Sequence, residues 1–371
     1  MPIDVDFSLA LNDRTGKLFL GNDIISSLDH RVGKVRYGRF HAFPNSDFMR
    51  RVVGRLTHKE TIARVRNPRL VSFLPVIRSP RPTLHLDPLS VVRHRLETTD
   101  IVLCHDLGPI THPQYFASGV DELYDSAYAQ IRRSKPHMVF VSRTSQQEFH
   151  RLYGNDYASS NMIYIPTRPG IKEGQARPVS GVSSPFLLTV GSVGHRKNQA
   201  RCIDAFAASG LPEKGWRYVV VGGPEPGADI AIQRAHQTPG VVMSGFSTDD
   251  ELRWLYRNAS GFVLMSLLEG FGMPVIEAME HDLPCLVSRS GILAEVGGEA
   301  VLHADPFDRE SIASGMRLLA DMSGHERARR IAHARAHLQK FAREPVLARW
   351  RELVESVMGS DKPAASSGGG G

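Results

Sequence analysis

Short apolar, β-branched runs alternate with amphipathic stretches almost throughout the chain. In the first half, such runs predict strands near residues 3–9, 34–40, 70–74, 100–104, 137–141 and 161–165. Helical periodicity falls between them, near 21–30, 47–66, 113–134 and 143–153. A second series predicts strands at 185–190, 217–221, 240–243, 261–265, 284–287 and 300–302. Its helices are expected at 198–208, 228–236, 248–257, 274–280, 308–321, 324–340 and 344–358. Alternation of this kind is the pattern of parallel sheets joined by crossover helices, an α/β class. The stretch 166–184 is rich in proline, glycine and serine and reads as the linker between two units. The expected division is therefore residues 1–170, residues 185–343, a last helix at 344–358 and a flexible tail at 359–371.

Composition changes this picture little. A chain of 371 residues with 42% apolar content can bury two ordinary cores. Cys104, Cys202 and Cys285 lie in apolar segments at no metal-ligand spacing, so reduced, buried thiols of a cytosolic protein are expected. The N-terminus shows no basic leader followed by an apolar core, and no apolar run is long enough to span a bilayer. The net charge of +6 invites an anionic partner. Nucleic acid fits poorly, since no aromatic–basic interleaving or reader motif is present. Anionic phospholipid and diphosphate-bearing compounds fit with fewer assumptions.

The densest chemistry lies in Glu269-Gly-Phe-Gly-Met-Pro-Val-Ile-Glu277. This run comes after the strand-like 261–265 and opens a helix at Pro274, a residue suited to a first helical turn. Its Gly-Phe-Gly turn bares the backbone where a helix presents unpaired N–H groups and its positive dipole end. A carboxylate on either side of an anion-binding turn suits phosphate alone badly. It suits a phosphate flanked by hydroxyl-rich groups, a ribose on one side and a sugar on the other. A second strand–loop–helix junction, Gly191-Ser192-Val-Gly-His-Arg196-Lys197-Asn198, places two cations before a helix start, the elements of a diphosphate site. The plainer reading of that junction is a solvated basic turn.

With His105-Asp106-Leu-Gly-Pro-Ile-Thr-His-Pro113 and Ser290-Gly-Ile-Leu-Ala-Glu295-Val-Gly-Gly298, these runs resemble the retaining GT-B glycosyltransferases of the Glu-x7-Glu type. That is glycosyltransferase family 4, in its mannosyltransferase-like group 1. The resemblance runs from about the middle of the N-terminal half to Asp305-Pro306. It implies two Rossmann-like domains facing each other across a cleft, an N-terminal acceptor domain and a C-terminal nucleotide-sugar domain. It also implies that the last helix crosses back to the N-terminal domain. Within the site it implies that Glu277 accepts hydrogen bonds from the ribose, Glu269 holds the transferred sugar, and Gly270, Phe271, Gly272 and Met273 contact sugar and phosphate.

Gly191, Ser192, Arg196 and Lys197 would face the diphosphate, although many relatives carry arginine where this chain has Ser192. Gly16, in Thr15-Gly16-Lys17, stands where relatives have a glycine-rich loop. His105 would face the donor sugar, making His105, Glu269, Lys197 and Arg196 the catalytic set, as positioning and charge-stabilising groups. Glu295 reads equally as a donor residue or a helix-capping acid. The base is expected against Gly222-Gly223-Pro224 and residues near Phe246.

The resemblance further implies a retaining hexosyltransferase needing no metal and no cofactor beyond its donor, a nucleoside-diphosphate sugar with GDP-mannose favoured. The acceptor is expected to be a growing bacterial surface glycan or lipid-linked glycan, reached from the cytoplasmic side. A UDP-sugar enzyme and a catalytically silent scaffold are the alternatives. Asp4-x-Asp6 superficially matches the metal-binding pair of the other major glycosyltransferase fold, but no further ligand set accompanies it. Residues 47–66 set Phe48, Val52 and Leu56 at helical spacing among Arg50, Arg51, Arg55, Lys59, Arg64 and Arg66. That stripe faces either the domain's own sheet or an anionic membrane surface.

Overall fold

The computed structural model describes residues 2–12 and 16–359; Thr15 and the tail 360–371 lie outside the described residues. Two six-stranded sheets organise the chain. The first holds β1 (Ile3–Asp6), β2 (Val32–Arg36), β3 (Thr83–His85), β4 (Ile101–Cys104), β5 (His137–Phe140) and β6 (Ser159–Met162), in the order β2-β1-β3-β4-β5-β6. The second holds β7 (Phe186–Val190), β8 (Arg217–Val221), β9 (Val241–Gly245), β10 (Gly261–Leu264), β11 (Cys285–Ser288) and β12 (Leu302–Ala304), in the order β12-β11-β10-β7-β8-β9. Every strand pair is parallel, in register such as Leu187↔Tyr218 and Val263↔Leu286. The central strands β1, β4 and β10 are buried at all positions, as a sheet covered by helices on both faces requires. Both sheets thus have Rossmann-like topology.

Helix starts obey local chemistry. Ser142 caps Arg143–Tyr153 by accepting from the Ser145 N–H. Thr248 and Glu251 form a reciprocal capping box on Asp249–Asn258. The final helix, Arg343–Gly359, leaves the second sheet and packs on the helix Gly16–Leu28 of the first domain. It buries Trp350 completely, and Arg343 grips Asp23 there, one of the contacts at 2.6 Å. Cys104, Cys202 and Cys285 are free, buried thiols, and burial pushes the Cys104 and Cys202 thiols up to about 12.

Four local expectations change. The apolar run 70–74 is no strand: Pro68 starts a short 3-10 turn, Pro68–Val71, and Leu70 and Phe73 stand exposed. The third strand is instead the three-residue β3, whose Thr83 N–H donates to Asp100 at 2.7 Å. Gly119, left-handed at φ 81°, resets the chain so that the long helix begins at Val120 rather than at 113. Gly291–Gly297, quoted only as a motif, is a helix. Asp4 and Asp6 are each engaged in ion pairs, Asp4 with Arg81 and Asp6 with Arg93 and His94.

Candidate active site

The second sheet reverses its winding between β7 and β10, which are neighbours although the chain continues from β7 outward to β8 and from β10 outward to β11. Loops leaving the carboxyl ends of such a strand pair diverge and open a crevice. The Arg196-Lys197 junction comes after β7, and the Glu269–Glu277 run after β10. Glycines let the loops meet closely: Gly191 and Gly222 have φ of 146° and 147°, and a Cβ on Gly222 would lie 2.0 Å from the Gly191 carbonyl oxygen. Asn198 takes the left-handed conformation and donates from Nδ2 to the carbonyls of Met265 (3.1 Å) and Pro306 (2.8 Å). The Leu267 N–H donates to the Arg196 carbonyl at 2.7 Å. These bonds tie the first loop to the exit of β10.

Lys197 therefore reaches across the crevice, and its buried Nζ donates to Glu269 Oε1 at 2.5 Å. Ser266 Oγ donates to the same oxygen at 2.8 Å. Burial alone would push the Glu269 carboxyl up, but Lys197, Arg196 and these hydrogen bonds outweigh it and hold the group below its ordinary range. Arg196 is positioned in turn by Glu225 at 2.9 Å and by Ser192 at 3.3 Å. Ser192 thus supplies a hydroxyl that helps to orient Arg196.

Glu277 sits one turn into the helix Met273–Glu280, buried, accepting from the Tyr256 hydroxyl at 3.0 Å. Burial raises its carboxyl above the usual range, with only partial relief from Arg168 at 3.9 Å and Tyr256. Gly272 starts this helix at φ 98°, with Pro274 in its first turn. Phe271 is buried against Tyr164 and Phe341, so it anchors the turn while Gly270 and Gly272 leave its backbone bare. Gly16 meets Met273 across the domain boundary, where an added Cβ would lie 3.3 Å from Met273 Cγ.

The opposing wall comes from the first domain. His105, just past β4, is buried and bonds through Nε2 to the Leu86 carbonyl at 2.9 Å. Its neighbour Asp106 lines an inter-domain pocket of about 250 Å³, open to solvent, together with Gly108, Thr144, Ser266, Glu269 and Gly291. The Asp106 carboxylate faces Gly270, where an added Cβ would lie 3.1 Å from Oδ2. Glu295 resolves into the capping role. It accepts from the N–H groups of Arg143 (2.7 Å) and Thr144 (2.8 Å), so one domain caps a helix of the other. Phe246 is 88% exposed at the rim and lies over Gly223.

Of the residues expected from sequence, the crevice gathers Gly191, Ser192, Arg196, Lys197, Glu269, Gly270, Phe271, Gly272, Met273 and Glu277, with Gly16 against them. His105 stands behind Asp106. Sequence reasoning passed over Asp106, Tyr256, Glu225 and Arg168. Arg168 lies in the linker, stacks on Phe19 at 4.4 Å and forks onto Asp249 with both contacts at 2.8 Å. An arginine in a Pro/Gly-rich stretch carries no signal of such a role. Asp106 was legible as part of the quoted His105-Asp106 pair.

Comparison with known proteins bears on the family and the fold. Residues 172–337 match the family model described as glycosyl transferases group 1. The chain is 26% identical over 253 residues to O-antigen chain mannosyltransferase B of Escherichia coli, covering 64% of this chain and 65% of that one. It is 38% identical over 230 residues to O-antigen chain mannosyltransferase RfbU of Salmonella typhimurium, covering 58% and 59% respectively. It thus spans less than two thirds of these relatives' own lengths. In fold it is similar to sucrose-phosphate synthase from Thermosynechococcus elongatus, with a TM-score of 0.67 at 17% identity over 97% of this chain and 100% of that one. The chain thus has the two-domain GT-B fold, and its residues 172–337 are similar to the glycosyl transferases group 1.

Proposed function

We propose that this protein transfers a hexose, mannose or a related sugar, from a nucleoside-diphosphate sugar to a growing bacterial surface glycan or lipopolysaccharide. The observation that carries the reading is the Lys197–Glu269 pair at the switch point, beside a bare glycine turn opening a helix. Lys197 has three N–H donors, of which one is committed to Glu269; the others suit phosphoryl oxygens. Departure of the nucleoside diphosphate builds negative charge beside Lys197, Arg196 and the helix start, so these groups stabilise the transition state more than the bound donor. Positive charge at the diphosphate then comes from the protein, without a metal. Glu269 accepts from hydroxyls of the transferred sugar and Glu277 from the ribose. Phe246 offers a face for the base. Asp106, with His105 behind it, lies on the acceptor side of the sugar.

GDP-mannose is the favoured donor, because the similar curated proteins are named mannosyltransferases. Transfer proceeds with retention, the departing phosphate helping to deprotonate the acceptor hydroxyl, and takes place on the cytoplasmic side. Incubation with GDP-mannose, UDP-glucose, UDP-galactose and UDP-N-acetylglucosamine, with assay of released nucleotide, tests the reading. Release from GDP-mannose above the others supports it. Preference for a UDP-sugar moves the donor assignment, and no release or binding with any donor identifies a silent scaffold instead.

A further inference from the structure

The helix Asp47–Arg66 is packed with its polar side inward. Its buried positions are Val53, Gly54, Thr57, Glu60 and Thr61. Glu60 is neutralised there by Arg39 at 2.7 Å and Arg64 at 2.8 Å. The opposite face, which an ordinary amphipathic helix would give to water as charge alone, carries Phe48 (67% exposed) and Leu56 (59%), with Met49 at its edge. Arg51, Arg55 and Lys59 share that face, exposed and with no carboxylate partner among the described residues. Flanking loops extend the apolar surface. Phe40 and Phe43 precede the helix, and Leu70 (68%), Phe73 (78%) and Val76 come after it. Eight of the chain's thirteen exposed large apolar side chains among the described residues thus fall between positions 40 and 76. Charge concentrates on the same segment: residues 39–81 hold ten Lys or Arg against two Asp or Glu, an excess of eight, whereas the whole chain carries +6.

A surface that is both apolar and strongly cationic has few fitting partners. A second copy meeting it face to face would oppose two like-charged segments. Nucleic acid would use the cations and stack on phenylalanines, but it has no use for exposed Leu56, Leu70, Val76 and Met49. A bilayer with acidic headgroups uses both components, apolar side chains entering the headgroup boundary and cations meeting phosphates. We propose that this face, built from Phe40, Phe43, Phe48, Leu56, Leu70 and Phe73 with Arg51, Arg55 and Lys59, docks the protein on an anionic phospholipid membrane.

The inner side of the same helix adds a second consequence, which rests on the transfer reading. Thr57 and Thr61 line a pocket with Ser8, Asn12, Ser90 and Arg93. A lipid-linked acceptor held in the bilayer would present its sugars along this helix to that hydroxyl- and amide-lined space.

Cosedimentation of the full chain with vesicles tests the docking surface directly. Vesicles of phosphatidylcholine containing about 30% phosphatidylglycerol are expected to bind it at least about tenfold better than phosphatidylcholine alone, less so at ~0.5 M salt. Phe48→Ser/Leu56→Ser/Phe73→Ser should lower binding about tenfold or more, as should Arg51→Glu/Arg55→Glu/Lys59→Glu. These side chains are exposed and outside the site, so release of nucleotide from the donor should be unchanged in both variants. The proposal is overturned by equal binding to neutral and acidic vesicles, by variants that bind like the wild type, or by binding only to single-stranded RNA. A concentration-dependent oligomer that the substitutions abolish, without vesicle binding, overturns it too. Loss of donor turnover with vesicle binding intact would strike the transfer reading and leave the surface standing.

Discussion

Replacing Lys197 with methionine should separate the two roles assigned to its ammonium group. In the folded protein that group lies 2.5 Å from Glu269, and both side chains are buried. Methionine keeps the length of the side chain but leaves the carboxylate with Ser266 and the more distant Arg196 as its remaining stabilising partners. Breaking a buried pair from one side costs about 3–5 kcal/mol, most of it the penalty of the stranded charge. The Glu269 carboxyl, now held below its ordinary value, would rise above it once burial is less opposed. A raised folded pKa means that the folded state takes up a proton more readily than the unfolded one. The deficit of Lys197→Met should therefore be largest near neutral pH and shrink as pH falls through the raised value. Adding Glu269→Gln removes the stranded charge, so the double variant should be more stable than Lys197→Met alone. Denaturant melts of the four proteins of this cycle at several pH values measure the coupling. Turnover of Lys197→Met should fall by about 10²–10³, with a smaller change in donor affinity. Additive effects of the two substitutions with no pH trend, or unchanged turnover, would refute the reasoning.

Three further expectations are simpler. Glu277→Ala should weaken donor binding by about 1.5–3 kcal/mol, through lost charge-assisted hydrogen bonds to the ribose, as titration calorimetry with donor would read. Gly272→Ala forces a Cβ to 2.6 Å from Leu293 Cδ2 at a φ of 98°, so it should cost about 1–3 kcal/mol in thermal melts. Asp6 is buried; burial opposes its charge, but Arg93 and His94 hold its carboxyl well below the ordinary value of 3.8. Its stabilisation is present above that value and lost as pH falls below it, so Asp6→Asn should destabilise at neutral pH and flatten the acid limb of a stability–pH curve.

Much of the second sheet was legible because its strands are continuous apolar runs ending at glycine, as in Phe186–Val190 leading into Gly191. The sites after β7 and β10 were legible for the same reason, since their residues are local to one strand–turn–helix junction. The third strand was not, because Thr83-Leu84-His85 is short and polar at both ends, whereas the apolar 70–74 run lies between Pro68 and Pro75. Arg168, Tyr256 and Glu225 act on residues distant in sequence, so no spacing betrays them. Periodicity marked the stripe on Asp47–Arg66 but not its direction, which depends on Thr57, Glu60 and Thr61 finding partners inward.

The central claim, that Glu269 and Glu277 flank a turn that grips a diphosphate, is tested most directly by a crystal structure with a bound nucleoside-diphosphate sugar. The account predicts the diphosphate at the start of Met273–Glu280 within hydrogen-bond reach of Lys197, the ribose on Glu277 and the hexose on Glu269. A nucleotide seated elsewhere, with both carboxylates untouched, would contradict it.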